Sequence, residues 1–255
     1  MLNEGCRVFS VYNIKGGVGK TATAVNLAYV AAKQGAKVLL WDLDPQGAAT
    51  FYFRIKPKIK GSGKGIVSGR DEADGFIKGS DFDGLEVLPS DFSYRNLDLA
   101  LKEEKSPEKR LAKVLRPLKE EYDYIFLDCP PSISMLSRNI FYASDYLLCP
   151  IVPTTLSLRT YAQLRMYFKK HEIPRKKILP FFSMMDRRKK LHKEVVKTLF
   201  SKDPSFLETV ILSLTNIEKM GISRAPVEAF APGSLAARSY LELWREVRER
   251  TALGF

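Results

Sequence analysis

A glycine-rich segment at residues 13–21 carries the groups needed to bind a polyphosphate. It has the sequence Asn-Ile-Lys-Gly-Gly-Val-Gly-Lys-Thr. In such a segment the glycines let backbone N–H groups curl around phosphate oxygens, Lys20 reaches the β- and γ-phosphates, and the Thr21 hydroxyl can bind Mg²⁺. The sequence therefore predicts a site for a magnesium nucleotide. The predicted phosphate-binding residues are Gly16, Gly17, Val18, Gly19, Lys20 and Thr21, and Thr21 is also a predicted metal ligand.

The flanking sequence predicts the elements that position this loop. Residues 7–12 are mostly apolar and favour a buried strand, and residues 21–34 favour a helix that Gly35 ends. The first N–H groups of a helix have no partner within it, so a glycine loop that leads into a helix forms an anion site. The loop departs from the common pattern in two ways: Ile14 replaces its first glycine, and Lys15 is an additional lysine. An incidental surface role for Lys15 is the alternative.

Two acidic segments follow other predicted strands. Asp42-Leu43-Asp44-Pro45-Gln46-Gly47 comes after an apolar strand at 37–41, and Asp128-Cys129-Pro130-Pro131 comes after a strand at 124–127. Parallel sheets place their chemistry at the carboxyl ends of the strands, so both segments should meet the glycine loop in one crevice. We expect Asp128 to act on the bound magnesium through a water. Capping of strand ends is the structural alternative, and it is most plausible for Asp42.

Strand and helix patterns alternate along the chain, which predicts an α/β fold of the P-loop NTPase type: a mainly parallel, twisted sheet with helices on both faces. We expect one domain over residues 1–255. Residues 54–79, rich in lysine and glycine, are expected to form a surface loop. The predicted strands are 7–13, 37–42, 85–89, 123–128, 145–151, 177–183 and 208–212. The predicted helices are 20–34, 94–104, 107–120, 134–143, 156–171, 189–201 and 234–250.

Composition limits the classes of function. The 255 residues carry a net charge of +12, which suits a negatively charged partner such as nucleic acid or an anionic membrane surface. The three cysteines lack metal-ligand spacing and are expected to be buried, and both histidines are expected at the surface. Residues 1–6 lack the apolar core of a signal peptide and no apolar run approaches a membrane span, so we expect a cytoplasmic protein.

Three motifs together carry a resemblance to a known family. Lys-Gly-Gly-Val-Gly-Lys-Thr, Asp-Leu-Asp-Pro-Gln-Gly and Leu-Asp-Cys-Pro-Pro-Ser resemble the ParA/Soj branch of the deviant Walker-A ATPases, relatives of MinD, and the similarity covers about residues 8–247. The resemblance implies slow, Mg²⁺-dependent ATP hydrolysis in which Asp44 orients the attacking water and Asp42 supports the magnesium shell. It also implies that Lys15 crosses a two-fold interface to the partner's nucleotide, which makes an ATP-sandwich homodimer.

A basic run, residues 187–190, stands at the start of a predicted helix. Cations there oppose the helix dipole, so they do not serve helix stability. The resemblance assigns an arginine at this place, Arg188, to non-specific DNA binding in the ATP dimer; a solvated helix end is the alternative. The predicted DNA contacts are Arg187, Arg188, Lys189, Lys190 and Arg224.

The resemblance implies a nucleoid-associated partition or positioning ATPase, released from DNA when a ParB-like partner stimulates hydrolysis. A membrane-surface regulator of the MinD/FlhG type is the alternative. Its mark is an amphipathic C-terminal helix, whereas the last helix here is expected to dock on the sheet. A metal-cluster carrier is disfavoured by the lack of paired cysteines. The chain departs from the family at Ala22, which replaces a hydroxyl residue but keeps its N–H for the phosphates, and at residues 212–217 and 219–226.

Overall fold

Seven strands form one sheet in the computed structural model, which describes residues 5–56, 62–69, 71–104 and 106–252. The strands are β1 (Arg7–Val11), β2 (Val38–Asp42), β3 (Lys78–Gly79), β4 (Leu85–Leu88), β5 (Tyr124–Asp128), β6 (Tyr146–Ile151) and β7 (Ile178–Phe182). Their order across the sheet is β3-β4-β2-β5-β1-β6-β7. Only the short edge strand β3 runs antiparallel to its neighbour; the described pairings of the other strands are parallel.

Helices of very different length connect these strands. They are α1 (Lys20–Lys33), α2 (Ala48–Tyr52), α3 (Ser62–Ser68), α4 (Leu97–Lys102), α5 (Arg110–Leu118), α6 (Met135–Ala143), α7 (Thr155–Lys170), α8 (Lys190–Lys202), α9 (Thr215–Glu218), α10 (Met220–Ser223), α11 (Val227–Phe230) and α12 (Leu235–Ala252). Short 3₁₀ turns occupy Ala73–Phe76, Phe92–Asn96, Pro107–Lys109 and Arg175–Lys177.

The sheet buries both of its faces. Alternate residues of a strand point to opposite faces. In β1, Val8 belongs to the apolar cluster that includes residues of α4 to α7. Phe9, its neighbour, belongs to the cluster formed with α1 and α12. Burial on both faces is the usual state of a parallel sheet, since its crossover helices cover both sides. The predicted fold class, a mainly parallel sheet with helices on both faces, is confirmed.

The last helix docks on the sheet as expected. Its residues Tyr240, Leu243, Trp244 and Val247 are all buried. The Trp244 ring packs edge-on against Phe9, with 5.7 Å between ring centroids, and also contacts two aromatic rings of β5. The apolar face of α12 is therefore used within the chain. Among the described helices, none is both long enough and apolar enough to cross a bilayer.

Two predictions about elements were wrong. The predicted strand at 208–212 is reduced to an isolated bridge between Met185 and Leu212, because the carboxylate of Glu246 takes the backbone N–H groups of Glu208 and Thr209 at 2.6 and 2.9 Å. The predicted surface loop at 54–79 contains α3, a 3₁₀ turn and β3. Its residues Ile66 and Val67 are buried in the core. Tertiary burial there outweighs the polar local composition; residues 57–61 and 70 lie outside the described part.

One expected surface histidine is buried. His192 is only 4% exposed, and its Nδ1 accepts a hydrogen bond from the backbone N–H of Asp186 at 3.1 Å. That contact closes the turn before α8. The other histidine, His171, is half-buried, with its Nδ1 2.7 Å from a guanidinium nitrogen of Arg138. Cys129 and Cys149 are buried as predicted, and Cys6 is half-buried.

Candidate functional site

The three strand ends that the sequence singled out lie side by side. In the sheet β5 separates β1 from β2, and Asp128 at its end is in register with Val11 of β1 and with Asp42 of β2. The chain leaves β1 directly into the glycine loop. The predicted crevice at the carboxyl edge of the sheet is therefore present.

The glycine loop requires glycine at particular positions. Gly17 and Gly19 have φ of +67° and +88°, the left-handed region that residues with a Cβ rarely adopt. A Cβ on Gly19 would also come within 2.9 Å of the Ser183 hydroxyl beyond β7. Gly16 and Gly17 are exposed, so the loop opens to solvent just before α1 begins at Lys20. This arrangement leaves backbone N–H groups of the first turn facing a possible anion.

Lys20 is held inside the loop. Its side chain is largely buried, and its ammonium donates a hydrogen bond to the carbonyl of Lys15 at 3.2 Å. Burial lowers the pKa of Lys20, and the negative charge of Asp128 is the largest influence in the opposite direction. The ammonium thus sits between the loop backbone and the acidic strand ends, where it can contact a bound phosphate.

Asp128 is buried without a hydrogen-bond partner. Among the described residues it is the only one whose buried carboxylate lacks a hydrogen bond at both oxygens. Burial raises the pKa of Asp128 well above its ordinary value; the charge of Asp42 adds to this, and the nearby Thr21 hydroxyl opposes it. Buried polar groups in proteins are nearly always paired, so an unpaired carboxylate indicates a group reserved for a ligand.

The donor set at Asp128 fits Mg²⁺. The cation prefers oxygen ligands and usually keeps several waters, with one or two protein ligands and the phosphates of a nucleotide completing its shell. Thr21 supplies a hydroxyl and Asp128 a free carboxylate at the first turn of α1. Within the described ranges there is no group of three or more His, Cys, Asp or Glu side chains suited to a metal.

Asp42 has hydrogen-bond partners within its own chain. Its Oδ2 accepts hydrogen bonds from the backbone N–H and the hydroxyl of Thr50, at 2.8 and 2.7 Å, and its Oδ1 accepts one from the Asp44 N–H at 3.2 Å. Burial nevertheless raises the pKa of Asp42 to about 6. These bonds fit the capping alternative, and the expected support of the magnesium shell stays a prediction. Asp42 fixes α2 and the backbone at Asp44.

Asp44 and Lys15 lie at the rim of the crevice. Asp44 is half-buried, and its Oδ1 caps the turn by accepting a hydrogen bond from the Gln46 N–H at 3.0 Å. Its charge also raises the pKa of Lys20. The Lys15 ammonium lies 3.4 Å from the Ser157 hydroxyl in the first turn of α7. Within one protomer, Lys15 therefore contacts α7.

Sequence reasoning missed Asn13. This buried side chain accepts a hydrogen bond from the Lys15 N–H at 2.9 Å and donates one to the Pro150 carbonyl at 2.8 Å, so it fixes the start of the loop to the end of β6. The available signal was an amide residue placed between a buried strand and a glycine loop.

The predicted DNA contacts fall into two groups. Residues 187–190 are all exposed where α8 begins; Arg188 pairs with Asp186 at 2.9 Å and Lys190 with Glu194 at 3.8 Å. Arg224 is held elsewhere: its Nε donates to the Phe51 carbonyl at 3.1 Å, and its guanidinium lies 4.4 Å from the centre of the Phe51 ring. The basic run thus faces solvent, with two of its cations in exposed ion pairs, whereas Arg224 is engaged with Phe51 of α2.

Comparison with known proteins identifies the family. A family model described as an AAA domain matches residues 6–179. The chain is 31% identical to the sporulation initiation inhibitor protein Soj of Bacillus subtilis over 250 residues, which cover 94% of this chain and 98% of Soj. It is 30% identical to the chromosome partitioning protein ParA of Myxococcus xanthus, over 96% of this chain and 88% of that protein. This chain belongs to the Soj/ParA family.

A solved structure extends the similarity of this Soj/ParA-family chain. Cobyrinic acid a,c-diamide synthase from Mycobacterium smegmatis, determined with bound ADP and magnesium, superposes with a TM-score of 0.80 at 26% identity, and the match covers 98% of this chain and 97% of the synthase. The likeness therefore covers almost the whole length of both chains.

The departures from the family pattern lie close to α1. The carbonyl of Ala22 accepts a hydrogen bond from Asn26 at 2.7 Å. The same amide contacts the Met220 sulfur at 3.2 Å, and its oxygen accepts the Val227 N–H at 2.8 Å. The altered segment after residue 212 is therefore fixed to the phosphate-loop helix by one buried asparagine.

Proposed function

We propose that this chain binds ATP with Mg²⁺ at the glycine loop and hydrolyses it to ADP and phosphate. The observation that carries the proposal is the buried carboxylate of Asp128, which has no described hydrogen-bond partner and lies beside Lys20 and the first turn of α1. The family membership supports it, as does the synthase with ADP and magnesium bound.

In phosphoryl transfer the protein mainly positions groups and neutralises charge. Lys20 and the backbone of residues 16–19 and Ala22 hold the phosphates, and Thr21 with Asp128 holds Mg²⁺, which supplies further charge neutralisation. Asp44 orients the attacking water. Asp42 fixes the Asp44 backbone, since its carboxylate accepts the Asp44 N–H.

The bound nucleotide also controls assembly in this proposal. Lys15 is not needed by its own phosphates, because Lys20 already occupies the loop, and only the weak 3.4 Å contact to Ser157 holds it. We infer that Lys15 reaches the nucleotide of a second copy. A ligand that binds the dimer better than the monomer shifts the equilibrium toward the dimer.

The dimer then binds DNA without sequence preference. Residues 187–190 provide exposed cations that can neutralise phosphates. Arg224 is a further predicted DNA contact, and it has to leave Phe51 to reach a phosphate. A ParB-like partner stimulates hydrolysis and releases the dimer from the nucleoid. The relatives named Soj and ParA support a role in partitioning or positioning DNA or another cargo.

The dimer is tested by light scattering coupled to size-exclusion chromatography with Mg²⁺ and a slowly hydrolysed ATP analogue. Lys15→Ala should bind the analogue as a monomer and fail to dimerise. Lys113→Ala, which removes an exposed lysine on α5, is the matched control and should dimerise normally. An analogue-loaded dimer of normal stability in Lys15→Ala would refute the trans role of Lys15.

DNA binding is tested by co-sedimentation with random-sequence DNA and, separately, with anionic liposomes. We expect binding to DNA only with ATP, falling steeply as salt rises, and about one unit less salt dependence per phosphate contact removed in Arg187→Ala or Lys190→Ala. Equal binding with ADP, or a preference for liposomes over DNA, contradicts the proposal.

A further inference from the structure

Tyr12 follows β1 directly and has no role in the proposed reaction. It is fully buried, and its hydroxyl donates a hydrogen bond to the backbone carbonyl of Ser132 at 2.8 Å. Its ring packs edge-on against Phe141 of α6, with 4.8 Å between ring centroids. Burial raises the pKa of Tyr12, so the phenol stays protonated and able to donate.

The acceptor of this bond lies in the segment that follows Asp128. Ser132 comes directly after Pro131, and the position that a Cβ would occupy on Gly16 is 4.0 Å from the Pro131 ring. Pro131 therefore lies close to Gly16, one of the predicted phosphate-binding residues, and we call it the wall of that predicted site. The Ser132 N–H bonds locally to the Pro130 carbonyl at 3.1 Å, whereas the Tyr12 hydroxyl ties this wall to the sheet.

The same stretch of chain also fixes the other side of the loop. Asn13, the next residue, accepts the Lys15 N–H. Consecutive residues at the end of β1 thus hold both the start of the glycine loop and the segment that covers it. Because Tyr12 is anchored by α6 as well as by β1, the distance between Gly16 and Pro131 is set by rigid elements.

We propose that Tyr12 is a positioning residue for the nucleotide: through its bond to Ser132 it holds Pro131 against Gly16 and so slows escape of the bound phosphates. The inference rests on the proposed function, because the site that it closes is the ATP site. Tyr12 acts through Pro131 and is itself shielded from the crevice by complete burial.

The test is Tyr12→Phe, which keeps the ring and its contact with Phe141 but removes the donor. Dissociation of a fluorescent ATP analogue, followed by stopped flow, should become about fivefold to tenfold faster, the effect of losing one hydrogen bond, while the association rate stays within twofold. Tyr161→Phe is the matched control. It removes the hydroxyl of a buried tyrosine on α7 that pairs with Ser205, and it should leave the dissociation rate unchanged.

Hydrogen exchange provides a readout that does not require ATP. The amides of residues 132–134 should exchange faster in nucleotide-free Tyr12→Phe than in the wild type. Should Tyr12→Phe fold poorly, Pro131→Gly removes the wall at an exposed position and should likewise accelerate dissociation. Unchanged dissociation in both variants overturns the role of Tyr12. A wild-type protein that binds no ATP overturns the proposed function, and the exchange experiment still decides whether the segment is held.

Discussion

The ends of β2 and β5 carry the same residue in the same register, yet the two carboxylates differ completely. Asp42 and Asp128 are paired across the sheet and both are fully buried. Asp42 accepts three hydrogen bonds from its own chain, whereas Asp128 accepts none among the described residues. Burying a carboxylate costs free energy unless the group is paired. The chain itself supplies the hydrogen bonds of Asp42, whereas we expect a ligand to supply the partner of Asp128.

The difference separates structure from chemistry at this edge of the sheet. The end of β2 has a structural role. Asp42 accepts a hydrogen bond from the Thr50 hydroxyl, which in turn accepts one from the Ser90 N–H at 3.0 Å. These bonds join the end of β2, α2 and the segment after β4. The β5 end leaves its acid free beside Lys20 and Thr21. We therefore expect substitutions of the two aspartates to affect different properties of the protein.

Asp128→Asn should have the largest effect, and on activity alone. Steady-state ATP hydrolysis at fixed Mg²⁺ should fall by about 100-fold, because the amide cannot supply the charge that orders the magnesium shell. The melting temperature should stay the same or rise, since the substitution removes a buried charge that is repelled by Asp42. A clear fall in melting temperature without loss of hydrolysis would reverse the assignment of the two regions.

Asp42→Asn should act mainly on stability. In either orientation the amide nitrogen faces a donor, either those of Thr50 or the Asp44 N–H. At least one hydrogen bond to a charged acceptor is therefore lost, at a cost of about 2 kcal/mol in the free energy of unfolding by urea. Thr50→Val, which removes only the hydroxyl, should cost about 1 kcal/mol. Stability equal to the wild type in both variants would show that the network at β2 does not support the fold.

The smallest expected effect is the pH dependence of the free energy of unfolding that Asp42 causes. Burial raises the pKa of Asp42 to about 6, whereas its unfolded value is about 3.9. Between these values the folded protein binds more protons than the unfolded chain, so this group lowers the free energy of unfolding as pH rises. The stability difference between wild type and Asp42→Asn, measured without Mg²⁺, should shrink from about pH 4 to about pH 6. A constant or widening gap contradicts this assignment.

The long elements of the fold could be predicted because their signals are local. The apolar face of α12 and the buried strand β1 repeat with helix and strand periods, and both are found where the pattern placed them. The predicted strand at 208–212 failed because the carboxylate of Glu246, far along the chain, takes two of its N–H groups. Local sequence does not contain that competition.

The candidate site shows the same division. The glycine loop and its two acidic neighbours were predictable, since their spacing and the rule for parallel strand ends bring them together. Capping by Asp42 was foreseen only as an alternative, without its partner Thr50. The contact of Lys15 with α7 and the hydrogen bond from Tyr12 to Ser132 were not foreseen. Each depends on a partner that is distant in sequence or on which of two similar acids receives the available donors.

The order of residues by itself determined the alternation of strand and helix, the phosphate loop and the family, because these follow from short-range periodicity and motif spacing. Tertiary structure alone decided which carboxylate is satisfied. Asp42 and Asp128 are chemically identical and equally buried. Only the folded chain brings Thr50 to Asp42, whereas Asp128 accepts no hydrogen bond within the described part of the chain. The reason is that a hydrogen bond forms between groups that are close in the folded structure, and the linear pattern of residues does not specify which groups these are.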